Sequence, residues 1–114
     1  MRLKSGIWVS AYLRRCAVEG AFAVLRRRGA EEAGAIFVVV DQLDGIVTLY
    51  GPAPQSLADE ETGVRLFAPL PLKPEPTPAA AHARLQREIE FDPDLWIVDV
   101  EDRQGRHFLD LAKE

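Results

Sequence analysis

The stretch FDPDLWIVDVEDRQGRHF (91–108) carries the side chains whose types and spacing could do acid–base or metal chemistry. Its DRQG segment has the aspartate and glycine positions of a type I turn, which would join two antiparallel strands. With that turn Glu101 pairs with His107, and the two-residue period of a strand places Asp99 on the same face. Two carboxylates and an imidazole so arranged could hold a divalent metal or serve as acid and base. Asp99, Glu101 and His107 are therefore the catalytic candidates.

The same residues also have a structural interpretation, which we favour. Glu101 and His107 would form a cross-strand charge pair, while the turn aspartate would pair with Arg106. Asp99 interrupts an apolar strand, so it should reach solvent, accept backbone hydrogen bonds or meet an arginine. Carboxylates cluster in structural networks as well as in active sites. The sequence predicts neither a metal nor another cofactor.

Four arginines form the second candidate site. Arg14 and Arg15 lie on a predicted helix, and Arg26 and Arg28 lie at a predicted strand end, so the four could form one anion site for phosphate or nucleic acid. Arg27 must face the other way, and no aromatic residues interleave with the run. The net charge of −4 also argues against bulk binding to nucleic acid. A solvated strand end is the favoured interpretation.

Other common kinds of catalytic site are not indicated. Cys16 is the only cysteine, which excludes an intramolecular disulfide and a cysteine-based zinc site. It lies in the apolar stripe of a predicted helix, where burial would raise its pKa and make the thiol inert. No glycine-rich phosphate loop follows a strand, and no serine lies in a nucleophile elbow. Whether the protein is an enzyme is left open, and we favour a binding role.

Apolar residues at helical spacing predict two amphipathic helices. The first covers 6–19, with Ser5 as a candidate N-cap and Gly20 as a left-handed stop. A strand over 6–9 is the alternative for its front end. The second helix opens at the Thr-Pro pair of 77–78, where threonine caps and proline takes the first turn.

Apolar and β-branched runs predict the strands: AFAVLRRR, AIFVVV, IVTLYG, VRLFA and LWIVDV. Asp44-Gly45 suits a two-residue type I′ turn that pairs Val40 with Leu49. HFLDL is either a hairpin partner of the last strand or a terminal helical turn. The order of elements predicts an α+β domain with an antiparallel sheet of about five to six strands and two helices.

The chain has the length and composition of one globular domain over 1–114. It has 114 residues, of which 47% are hydrophobic and 28% charged. The proline-rich segment 69–78 is interpreted as a strap across the surface and not as a domain boundary. GIWVSAYL imitates a secretory signal, but RRC interrupts it, so a cytoplasmic location without membrane contact is expected.

Four blocks of the sequence resemble a known family: VSAYLRRC, GAFAVLRRRG, LDG with LYGPAP, and FDPDLWIVDVEDRQGRHFLDL. The family consists of small bacterial proteins and is known as domain of unknown function 1491. The resemblance spans nearly the whole chain and implies a stand-alone, single-domain, cytoplasmic protein. It implies no activity, cofactor or catalytic residue.

The first functional hypothesis is a protein-binding or adaptor module, acting through a protein partner or by self-association. An exposed strand edge in the final hairpin or at VRLFA would provide the surface. The alternative is a metal-dependent or acid–base enzyme that uses Asp99, Glu101 and His107. A second alternative is phosphate or nucleic-acid binding through the arginines.

Overall fold

The part of the chain that the structure describes forms two helices and five strands. The computed structural model describes residues 2–54 and 63–113. The elements are α1 (Ser5–Val18), β1 (Phe22–Arg27), β2 (Ile36–Asp41), β3 (Val47–Pro52), β4 (Phe67–Leu70), α2 (Pro78–Phe91) and β5 (Trp96–Glu101). They form a single compact domain with a radius of gyration of 13.5 Å, so the predicted α+β class is confirmed. Neither helix is long and apolar enough to cross a membrane.

The five strands form one sheet in the order β1-β5-β2-β3-β4. The sheet is mostly antiparallel, as predicted, but β2 and β5 run parallel. The chain passes over one face of the sheet as α2, and β5 then lies between β1 and β2. HFLDL is neither a hairpin partner of β5 nor a helical turn, since β1 lies beside β5 and pairs Val24 with Asp99. In the described C-terminal part, the one residue after β5 that joins the sheet is Leu111, in a bridge to Phe67.

The helices pack on opposite faces of the sheet. The α1 face is filled by a cluster that includes Tyr12, Val38 and Trp96, and the α2 face by a cluster that includes Val39 and Leu85. β2 is buried along both faces, which explains its continuous apolar sequence. Side chains of consecutive residues in a strand therefore lie on different faces of the sheet, one toward α1 and the next toward α2.

The first helix begins differently from the prediction and ends as predicted. Its N-cap is Lys4, and Ser5 is the first helical residue. The Ser5 hydroxyl is buried and donates a hydrogen bond of 2.6 Å to the Gly34 carbonyl oxygen. Gly20 ends the helix at φ +85°, and Ala21 N–H donates to the Cys16 carbonyl oxygen, as in a Schellman motif. The alternative strand over 6–9 is wrong.

The hairpin between β2 and β3 forms, but its predicted register is wrong by one residue. Val40 pairs with Thr48 instead of Leu49. The loop is longer than a two-residue turn, and Leu43 and Gly45 both adopt positive φ in it. A one-residue slip exchanges the faces of a strand, so this register decides that Leu49 points into the core on the α2 face.

The second helix forms as predicted. Thr77 Oγ1 accepts a hydrogen bond from Ala80 N–H at 3.2 Å, and proline occupies the first turn. The preceding proline-rich strap is held to the domain by a 2.9 Å hydrogen bond from Val47 N–H to the Pro76 carbonyl oxygen. Its Leu72 also packs against the α2-face core.

Candidate functional site

Asp99 is held by an arginine from the neighbouring strand. Arg26 Nε donates to Asp99 Oδ2 at 2.7 Å, and Arg26 Nη2 donates to Oδ1 at 2.6 Å. This bidentate pair joins β1 to β5 on the α2 face, because Asp99 lies beside Val39 in the parallel register. The structural interpretation of Asp99 as a carboxylate that meets an arginine is confirmed.

His107 lies on the opposite face of the sheet from Asp99 and Glu101. Its ring centroid is 5.0 Å from that of Tyr50, which belongs to the α1-face core. Leu109 N–H donates to His107 Nδ1 at 2.9 Å, and the Tyr12 hydroxyl donates to the His107 carbonyl oxygen at 2.6 Å. The three catalytic candidates therefore do not converge. Within residues 2–54 and 63–113, no group of three or more His, Cys, Asp or Glu side chains could hold a metal ion.

The position of His107 predicts how it titrates. Burial lowers its pKa below the ordinary value of 6.5, because the charged imidazolium loses hydration. The bond from Leu109 N–H favours the neutral form with its proton on Nε2. We expect NMR of the imidazole protons to give a midpoint below 6.5 and the Nε2–H tautomer. A midpoint at or above the ordinary value would contradict this packing.

The four arginines do not form one patch. Arg26 is on the α2 face with Asp99, whereas Arg28 lies over the Trp96 ring at 5.4 Å from its centroid. Arg15 lies over the Phe108 ring at 5.7 Å from its centroid. Arg14 is exposed on α1. The predicted convergence of these side chains on one anion is therefore not supported by the contacts they make.

Arg28 and Arg15 lie near opposite ends of α1. Arg28 pairs with Glu31, whose carbonyl oxygen accepts a hydrogen bond from Gly6 N–H at the start of α1. Arg15 lies near the other end of the same helix, roughly 13 Å further along its axis at 1.5 Å per residue. Their guanidinium groups also lie over different aromatic rings, those of Trp96 and Phe108.

Cys16 and Arg65 are two further side chains whose pKa values are changed by burial. Cys16 is fully buried, and burial raises the pKa of its thiol, so the predicted core role is confirmed. Arg65 is partly buried, and burial lowers its pKa. Its Nε has no hydrogen-bond partner in the described structure, and the cavity that it lines, of about 20 Å³, has room for one water molecule.

A groove of about 260 Å³ lies on the α2 face, beside the helix. Its floor is formed by β1, β5 and β2, and its wall by Pro78 and Ala81 of α2. The side chains that line the floor include Phe22, Val24, Arg26, Asp41, Asp99 and Glu101. α2 contacts β3, and β5 is covered on this face at Ile97, whereas Phe22 and Val24 of β1 stay exposed. The sequence did not indicate this groove, because Asp41 and Glu101 become neighbours only through the parallel pairing of β2 and β5.

The groove opens onto the free edge of β1. Phe22 and Val24 are 61% and 42% exposed, although β1 is mainly apolar. No described strand pairs with the outer edge of β1. The opposite edge, β4, is partly covered, because Phe67 N–H donates to the Asp110 carbonyl oxygen and Ala112 N–H donates to that of Phe67. Of the two expected edges, the final hairpin does not form, whereas VRLFA overlaps β4, an edge strand that the C-terminal segment partly covers. The free edge of β1 was not expected.

Comparison with known proteins places the fold in a family. A solution structure of a protein from A. tumefaciens is 42% identical with a TM-score of 0.82, and the match covers 100% of this chain and 98% of that one. The crystal structure of a DUF1491 family protein from Caulobacter crescentus CB15 is 34% identical with a TM-score of 0.80, covering 99% and 100% of the two chains. No curated protein matches significantly. The family model "Protein of unknown function (DUF1491)" matches residues 3–110, and the chain belongs to this family.

Proposed function

We propose that the protein is a protein-binding module that takes up an extended segment of its partner along β1. The observation that carries the proposal is the free edge of β1, with exposed Phe22 and Val24 beside the groove. An unpaired strand edge offers a row of backbone donors and acceptors to a further strand. In such complexes main-chain hydrogen bonds supply affinity, and alternate side chains supply specificity.

The sequence of β1 supports a binding role for this edge. Natural proteins protect free edges with proline, charged side chains or bulges, and in β1 such features are confined to the end that contains Arg26 and Arg27, whereas residues 22–25 have none of them. The pairing with β5 is irregular between Leu25 and Arg27, so regular strand geometry is confined to the front of β1. An added strand would therefore be short and would depend on its side-chain contacts.

The groove determines which side chains suit the partner. Asp99 is already neutralised by Arg26, whereas Asp41 and Glu101 add two carboxylates at the same end of the floor. A cation that contacts these carboxylates gains electrostatic energy, more at the half-buried Asp41 than at the exposed Glu101. The partner segment is thus an extended strand with apolar residues at alternate positions and an arginine or lysine facing the groove.

The other functional classes have less support. An enzyme built on Asp99 and Glu101 would lack His107, and a phosphate site would lack a common position for the arginines. We place the binding module in the cytoplasm, where a lone reduced cysteine is typical.

Peptide selection tests the proposed function. Short random peptides are selected on the wild-type protein and titrated into isotope-labelled protein, where we expect amide shifts in β1 and β5. The variant Phe22→Ser should weaken binding about tenfold or more, because an exposed aromatic anchor is lost. Phe91→Ser is the matched control, since Phe91 is 90% exposed on α2 and should leave binding unchanged.

Two results would overturn the proposal. One is that repeated selections enrich no peptide. The other is that enriched peptides shift amides elsewhere and bind the Phe22→Ser and Phe91→Ser variants equally well.

A further inference from the structure

We infer that the segment that pairs with β1 is β1 of a second copy of this chain, running antiparallel about Val24. This inference rests on the proposed function and names its partner. The required segment has apolar residues at two alternate positions and a cation at the next. β1 has this pattern itself, with Phe22, Val24 and Arg26 on its exposed side.

The pattern is self-complementary. When two identical strands pair antiparallel about Val24, each Val24 faces its counterpart on the two-fold axis. Phe22 of each copy then lies beside Arg26 of the other, at the irregularity in the β1–β5 pairing. From that position an arginine side chain is long enough to lie over the aromatic ring. A two-fold interface requires such a patch that fits itself.

The charges on the neighbouring strand favour the same register. Phe22 pairs with Glu101 across the β1–β5 ladder, so Arg26 of the second copy would lie two strands from Glu101. That spacing is roughly 10 Å between backbones, which an arginine and a glutamate can span above the phenylalanine ring. Arg26 holds Asp99 through Nε and Nη2, and its Nη1 takes no part in that pair. Nη1 is therefore the donor of Arg26 that remains for Glu101 of the second copy.

The symmetry also joins the two grooves. A two-fold axis perpendicular to the sheet leaves both α2 helices on the same face of one continuous sheet. The groove of each copy then opens into that of the other, above a floor of β5 and β1 from both. The paired segment is short, so the interface falls in the small class below about 1,000 Å² that is typical of transient association. The dimer should therefore form reversibly and at high protein concentration.

Cysteine cross-linking tests this register. In the Val24→Cys variant the two introduced thiols would lie opposite each other, and we expect a disulfide-linked dimer on mild oxidation, or a dimer linked by a short bismaleimide. The native Cys16 is 0% exposed and contributes no background. Phe91→Cys is the matched control, because that position is 90% exposed and lies at the end of α2, outside the paired strand, and it should give at least about fivefold less dimer.

Sedimentation equilibrium supplies a second measurement that does not depend on a thiol. The wild-type protein should show a reversible monomer–dimer equilibrium, and Val24→Lys should be monomeric at every concentration, because two like charges would face each other on the axis. Equal cross-linking of Val24→Cys and Phe91→Cys, or a monomeric wild-type protein, would overturn the inference. If selected peptides still bind β1 in that case, the proposed function stands with a different partner. If they do not, both fail.

Discussion

Phe67→Ala is expected to lower the free energy of unfolding by about 3–5 kcal/mol. Phe67 is 2% exposed and lies where β4 meets both β3 and the C-terminal segment. Its ring centroid is 5.3 Å from that of Trp8, so the ring also packs against α1. Removing it leaves a cavity that three separate parts of the chain would have to close. Chemical denaturation monitored by tryptophan fluorescence measures the change.

Phe22→Ala provides the matched comparison. The same atoms are removed from a side chain that is 61% exposed, so the free energy of unfolding should change by no more than about 0.5 kcal/mol. If the fold stays stable without the Phe22 ring, packing does not explain an exposed aromatic residue at that position. Binding then remains as its role. If Phe22→Ala instead destabilised the protein as much as Phe67→Ala, Phe22 would belong to the core, and the proposed binding edge would lose its main support.

The helices could be predicted because their signals are local. The stripe that contains Val9, Tyr12 and Cys16 fixes the buried face of α1, and Gly20 supplies the left-handed stop. Thr77 and the proline after it fix the start of α2 in the same way. Each of these signals depends on residues within one or two turns of one another.

The order of the strands could not be predicted, because it depends on contacts between distant parts of the chain. The strand LWIVDV was located correctly. Its neighbours in the sheet could have been β1, β2 or the residues that follow it in the chain. Chain proximity favoured HFLDL as its partner. The structure pairs it with β1 and β2 instead, so that three apolar strands share one core. The slip at Val40 has a similar origin, since burial of Leu49 on the α2 face decides the register.

The candidate site also combines features that local sequence indicated with features that depend on distant parts of the chain. From the sequence, an arginine was one of three ways to satisfy Asp99, but nothing identified Arg26 as the partner, 73 residues away. Phe22 and Val24 lie in an apolar run that reads like a buried strand. Their exposure follows from the edge position of β1 and from the placement of α2 over β3, neither of which is a local property.

Asp102 has a structural role in the turn after β5, and its loss should have the second largest effect. The residue is 7% exposed, and its Oδ1 accepts a hydrogen bond of 2.7 Å from Arg106 Nη2. Its Oδ2 accepts bonds from Arg106 Nε and from Arg106 N–H. The Asp102 N–H donates to the Asp41 carbonyl oxygen, and its own carbonyl oxygen accepts from Gly105 N–H, as predicted for a turn over 102–105. The carboxylate therefore holds the chain where it leaves the sheet.

Asp102→Asn is expected to lower the free energy of unfolding by about 1–3 kcal/mol at neutral pH, because donors that face a carboxylate would then face an amide. The hydrogen bonds from the Arg106 side chain, and next that from its backbone N–H, lower the pKa of Asp102 from 3.8 to about 2. The stabilisation by a carboxyl group with a lowered folded-state pKa is complete above its unfolded-state pKa and is lost as the pH falls through the folded-state value. The difference between wild-type and variant should therefore be constant above about pH 5 and shrink between pH 3.8 and about 2. Thermal unfolding across this range measures this difference.

Asp110→Asn, which removes the same charge from an exposed residue, should show no such pH dependence. A difference for Asp102→Asn that persisted unchanged at pH 2 would mean that the shape of the turn, and not the charge of Asp102, stabilises this end of β5.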